Sequence, residues 1–109
     1  MTPHKIAYNF TATLSLLSTN QGGRKKPVFN HYRPSFSFGS KQHYSGEIIF
    51  PHSDELQPGH STTAKVKLLP SRHINEHLKP GGMFKIFEGE KVVGMGFINT
   101  IDDERYIEA

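Results

Sequence analysis

The chain contains no cysteine and no tryptophan. Without thiols, disulfides, thiolate nucleophiles and cysteine-ligated zinc are excluded. Apolar runs are only a few residues long, far short of the ~20 needed for a helix to span a bilayer. No charged start followed by an apolar stretch marks a signal peptide, so a cytoplasmic protein without a membrane partner is expected. The phosphate-cradling pattern G-x-x-x-x-G-K-[ST] is missing, and Gly94-Met95-Gly96 is too short for a dinucleotide fingerprint. Neither nucleotide hydrolysis nor a nucleotide cofactor is expected. Hydrophobic residues make up only 35% of the chain, so a core must draw on its eight Phe and four Tyr, each of which buries a large area.

What is present is alternation. In "AYNFTATLSLLS", Tyr8, Phe10, Ala12, Leu14 and Leu16 share one face, while Asn9, Thr11, Thr13 and Ser15 take the other. Period two over this length predicts a half-buried strand. "PSFSFG", "SGEIIFP", "TTAKVKLLP", "GMFKIFEG" and "KVVGMGFI" follow the same rule, which makes six strands. Gly22-Gly23, Pro34, Gly46, Pro58-Gly59 and Pro80-Gly81-Gly82 punctuate them, and residues 71–78 read as a loop. Such a chain is all-β, either a small closed barrel or two packed sheets. Gly94 and Gly96 inside the last strand favour closure, because strand glycines mark bends or close backbone approach. The 109 residues form a single domain, residues 1–109, with the barrel over about 6–101 and an acidic, frayed tail over 102–109.

No catalytic or metal constellation stands out. His73 and His77 are spaced for metal only on a helix, and His4, His31, His43, His52 and His60 lie in turn-like surroundings. These histidines read as exposed loop residues. Asp54-Glu55 and Asp102-Asp103-Glu104 read as solvated neighbours rather than acid/base pairs converging across a cleft. The expectation is no enzyme, no metal and no cofactor.

The charge is uneven. Residues 1–50 carry six cations against one acid, a net +5, and residues 51–109 carry seven cations against nine acids, a net −2. Arg24, Lys25 and Lys26 sit together in "GGRKKP", with Arg33 further along. That density suits phosphate contacts, and Tyr32 is placed to stack on a base or sugar. The competing reading is a solvated turn that guards a strand edge.

The same residues carry a family resemblance. "LSLLSTNQGGRKKPVFNHYRPSFSF", "SGEIIFP", "LQPGHSTTAKVKL" and "GGMFKIFEGEKVVGMGFI" resemble, in order and spacing, the C-terminal barrel domain of elongation factor Tu. The resemblance covers about residues 10–101 and implies a six-stranded antiparallel β-barrel. It also implies a domain standing alone from Met1, without the family's GTPase domain and middle barrel. It further implies tRNA or another structured RNA as a partner, gripped through backbone phosphates and sugars, or a protein partner of the translation machinery. By resemblance Arg24, Lys25, Ser45, Glu88 and Gly89 are RNA-contact positions, with Lys26 and Arg33 in support. Lys25 replaces a His, Ser35 a Gln, Pro70 a Lys and Phe87 an Arg of the family pattern. The last two replacements remove cations, and they make Phe87 a candidate protein interface. Two functions follow. One is a non-catalytic, translation-related module binding RNA backbone weakly. The other is an interaction module that mimics the domain as a competitor, regulator or toxin-immunity factor.

Overall fold

Alternation builds the first strand as expected, with Phe10, Ala12, Leu14 and Leu16 buried and the residues between them half-buried. The computed structural model describes residues 8–70, 74 and 77–102. In chain order the strands are β1 (Phe10–Leu16), β2 (Val28–Phe29), β3 (Ser35–Ser37), β4 (His43–Ile49), β5 (Glu55–Leu56), β6 (Ser61–Leu68), β7 (Met83–Glu88) and β8 (Lys91–Ile101). Six of them close a barrel in the order β1-β6-β4-β3-β7-β8, every pairing antiparallel. The six expected strands are these six. β8 pairs with β7 on one side and β1 on the other, so the sheet has no free edge and the two-sheet alternative is set aside. β2 and β5 form a separate two-stranded ladder outside the barrel that no alternation signals, since each is two residues long.

Closure depends on two glycines. A Cβ on Gly96 would lie 2.5 Å from the Thr13 carbonyl oxygen and 2.7 Å from Phe84 Cζ, and one on Gly94 would lie 2.6 Å from the Ser15 carbonyl oxygen. The absent side chains let β8 approach β1 closely and leave their interior volume to Phe84 and Ile86. The interior is aromatic at its centre. Phe84 packs against Phe10 and Phe36 with ring centroids 5.7 Å apart in both pairs. Each fully buried ring contributes roughly 1.5–3 kcal/mol of transfer free energy. A barrel of this size is filled by its own side chains.

Three expectations are corrected. Asn9 does not face solvent: it is 4% exposed, and its Oδ1 accepts the Leu68 N–H at 2.5 Å. Its own N–H donates to the Val66 carbonyl at 2.8 Å. The barrel rim satisfies Asn9 locally, which overrides the alternation that Tyr8, half-buried, only partly follows. His77 is not an exposed loop histidine, because it stacks on Phe38 at 5.8 Å, 14° from parallel. Ile74 and Leu78 beside it belong to the core, while His73 and the rest of 71–78 lie outside the described residues, as does His4. Asp102, the first tail residue, is fastened: its N–H donates to the Asn9 carbonyl at 2.9 Å, and its carboxylate accepts from Thr11 at 2.6 Å and Lys65 at 3.5 Å. Residues 103–109 lie outside the described residues.

Candidate nucleic-acid interface

The linker from Ser18 to Pro34 joins β1 to β3 and carries the basic cluster. It begins with a capped turn. Ser18 Oγ accepts the Gln21 N–H at 3.2 Å, and Gln21 Oε1 accepts the Ser18 N–H at 3.1 Å, a reciprocal capping box. The Gly22 and Gly23 N–H groups then donate to the Thr19 and Ser18 carbonyls at 3.1 and 2.9 Å. Thr19 Oγ1 donates to the Arg24 carbonyl at 2.8 Å, which sets the arginine backbone.

Arg24 turns toward the barrel. Its guanidinium forms a part-buried ion pair with Glu88 at the end of β7. Its Nε donates to the Lys26 carbonyl at 3.1 Å and Nη2 to the Pro27 carbonyl at 3.5 Å. Tyr32 completes the group by donating its hydroxyl to the same Glu88 oxygen at 2.5 Å. The Arg24 Cζ lies 5.6 Å from the Tyr32 ring centroid, within cation–π range. Burial and the hydrogen bond to the Glu88 carboxylate push the Tyr32 phenol well above its ordinary value of 10, and the nearby arginine only partly opposes them. One carboxylate thus holds the linker against the barrel at two points, Arg24 and Tyr32. Tyr32 is therefore not a free stacking platform, and Arg24 and Glu88 are partners of each other.

The remaining candidate residues fall on two surfaces. Lys25, Lys26 and Arg33 are exposed. Ser45 on β4 pairs across to Ser35 on β3, and Ser35 pairs to Phe87 on β7, which lines the three up on the outer face next to Glu88. Gly89 opens the two-residue turn between Glu88 and Lys91 with φ +64°. Glycine at this first turn position fits a tight hairpin at no steric cost. Phe87 points outward while Ile86 is fully buried, and a register shift between the two residues marks the change. The Phe87 ring is half-buried and packs on His43 at 4.5 Å. With Met83 and Met95, the two rings line an open groove of about 690 Å³.

Sequence reasoning passes over a second carboxylate, Glu47 on β4. It takes an ion pair with His31 of the linker, and its cross-strand neighbour on β6 is Lys67. The hydrogen bond from His31, joined by the charges of Arg33, His31 and Lys67, holds its carboxyl below the ordinary range against the opposing effect of burial. His31 has φ +74°, unusual for a residue with a side chain, and is kept there by its N–H bond to the Ile48 carbonyl at 2.8 Å. Alternation along β4 and β6 places Glu47 and Lys67 outward, but no sequence signal sets the register that makes them neighbours. Among the described residues, no three His, Asp or Glu side chains converge to hold a metal, and no helix is long and apolar enough to cross a membrane.

Residues 3–102 match the family model of the elongation factor Tu C-terminal domain. The chain belongs to that family, a translation-factor-like β-barrel domain.

Proposed function

From membership in the elongation factor Tu C-terminal domain family, we propose that this single domain is a non-catalytic module of the cytoplasmic translation machinery that binds RNA backbone, with tRNA or a similarly structured RNA as its partner. The observation that carries this reading is the Arg24–Glu88–Tyr32 cluster. It pins the linker so that Lys25 and Lys26 stay exposed, and it neutralises Glu88, an acid that would repel phosphate beside the Ser45–Ser35–Phe87 row. Lys25, Lys26 and Arg33 supply charge, Ser45 a hydroxyl and Gly89 an open backbone. Arg24 acts as a strut that positions the lysines instead of a contact. Binding is weak, since two family cations are replaced by Pro70 and Phe87, each lost phosphate contact removing roughly one unit of salt slope. The test is fluorescence anisotropy with an RNA hairpin across a salt series. Lys25→Ala with Lys26→Ala lowers affinity and flattens the log–log salt slope by roughly two. Equal affinity and slope for wild type and double variant would sink the reading.

A second reading has its own support. Met83, Met95 and Phe97 are 68%, 39% and 44% exposed, an apolar surface continuous with Phe87 and suited to a protein partner. Under this reading the domain competes for the partners of its family, as a regulator or an immunity factor. A complex that survives nuclease treatment and is lost in Phe87→Glu supports it. Recovery of RNA alone counts against it.

A further inference from the structure

The open groove of about 690 Å³ that Phe87 lines has the volume of a small-ligand site. Lys85 on β7 stands in it. Its outward neighbours along the strand are Met83 and Phe87, and its partners across the sheet are Ser37 on β3 and Met95 on β8. All four are uncharged. Lys85 is exposed, and the ion pairs among the described residues use Arg24, His31 and Lys65 instead. It is therefore an ammonium set among apolar side chains with no carboxylate of its own. Two kinds of apolar surface flank it. The exposed methionines are unbranched and polarizable, and such side chains adapt their shape to a ring. Phe87 and His43 present a pair of rings 38° from parallel.

That setting discriminates between ligands. A nucleic-acid strand brings a row of phosphates and little apolar surface, and it is held by several cations together. A neutral apolar molecule would cover the Lys85 ammonium without replacing the water it loses. A cationic one would be repelled. A molecule with one carboxylate on an apolar body answers the ammonium and covers the methionines at the same time. We infer that this groove binds a small arylalkyl carboxylate, its carboxylate on the Lys85 ammonium and its ring against Met83, Met95 and the Phe87–His43 pair. The inference goes beyond both readings above. It uses none of the cations on which RNA binding rests, and it gives the apolar face of the second reading a small ligand of its own.

The test uses three probes of one shape: 4-phenylbutyrate, 4-phenylbutanol and 4-phenylbutylamine. Each is titrated into the labelled full chain at neutral pH, and NMR follows the Lys85 amide and the Met83 and Met95 methyl groups. In wild type the acid shifts these resonances and saturates them. The alcohol binds the same place about fivefold more weakly, the upper end for an exposed ion pair, and the amine more weakly still. Lys85→Gln brings acid and alcohol level. Lys85→Glu reverses the order in favour of the amine, which a merely structural lysine would not do. Met83→Ser weakens all three probes alike, and thermal melts confirm that the variants are folded. The site is overturned if the shifts scatter over the surface without saturating, if wild type does not distinguish acid from alcohol, or if the preference survives Lys85→Gln. It is also overturned if the same resonances move with protein concentration alone, the mark of a second copy in the groove, or if an RNA hairpin moves them and the acid does not. Lys25→Ala with Lys26→Ala leaves the acid titration unchanged, so failure of the RNA reading and failure of this site are read separately.

Discussion

Arg24 and His31 lie in the same linker, and each meets a barrel carboxylate: Glu88 at the end of β7 for the first, Glu47 on the outer face of β4 for the second. The two encounters differ in what surrounds them. At Glu88 the cation is 25% exposed, and a tyrosine shares the carboxylate, so every charge is answered inside the molecule. At Glu47 the histidine is 70% exposed, and Arg33 and Lys67 face outward around it. The first cluster is closed and structural, and the second is open to solvent. A basic loop therefore does not offer all its cations to a partner. The charge that the barrel desolvates becomes a fastening, and those left in water stay accessible.

Breaking the closed cluster has the largest expected effect. Glu88→Ala leaves Arg24 and Tyr32 without their shared acceptor and costs about 2 kcal/mol, the scale of hydrogen bonds to charged groups. That lowers the melting temperature by roughly 10 °C for a domain of this size, as calorimetry will show. Arg24→Ala has the same direction and a smaller size, because Tyr32 keeps its bond to Glu88.

Alkaline pH probes the same cluster next. The Tyr32 phenol titrates higher in the folded chain than its ordinary value of 10, so the unfolded chain loses that proton first. Its contribution is complete below pH of about 10 and fades as pH rises toward the folded value. Denaturant midpoints will fall above about pH 10 in wild type and fall less steeply in Tyr32→Phe.

The open region responds more weakly in stability. Glu47→Ala changes it by less than about 1 kcal/mol, as exposed ion pairs do. Acid titration sharpens the contrast. The Glu47 carboxyl lies below its ordinary range when folded, so its contribution is present above that range and is lost as pH falls through the folded value. Carboxyl NMR will find Glu47 titrating below an unperturbed glutamate, and Lys67→Ala will move it part of the way back. Lys25→Ala with Lys26→Ala comes last, with no measurable change in melting temperature, so that its effect on RNA binding stands by itself.

Much of this was legible from residue types. The Phe36 and Phe84 strands, the Gly94-Met95-Gly96 approach and the Glu88–Gly89 turn each follow from alternation or from a glycine in a strand or turn. The site was legible only in part. Lys25, Lys26, Arg33 and Ser45 stand out in the sequence as candidates, and all four are exposed in the fold. The partners of Arg24 and Tyr32 were not legible, because nothing local to "GGRKKP" or "HYRP" reveals a carboxylate 64 residues from Arg24 and 56 from Tyr32. Glu47 was passed over because a single acid in a β-rich run looks like an ordinary solvent-facing residue.

By itself the sequence determined the strands, their inward faces and the excess of cations in the first half, because side-chain alternation and charge are properties of neighbouring residues. Tertiary structure alone decided which cations remain available. Barrel closure brings Glu88 under Arg24, seats Asn9 on the rim and sets Lys67 beside Glu47, and whether a charge is buried or hydrated depends on residues far away in the chain.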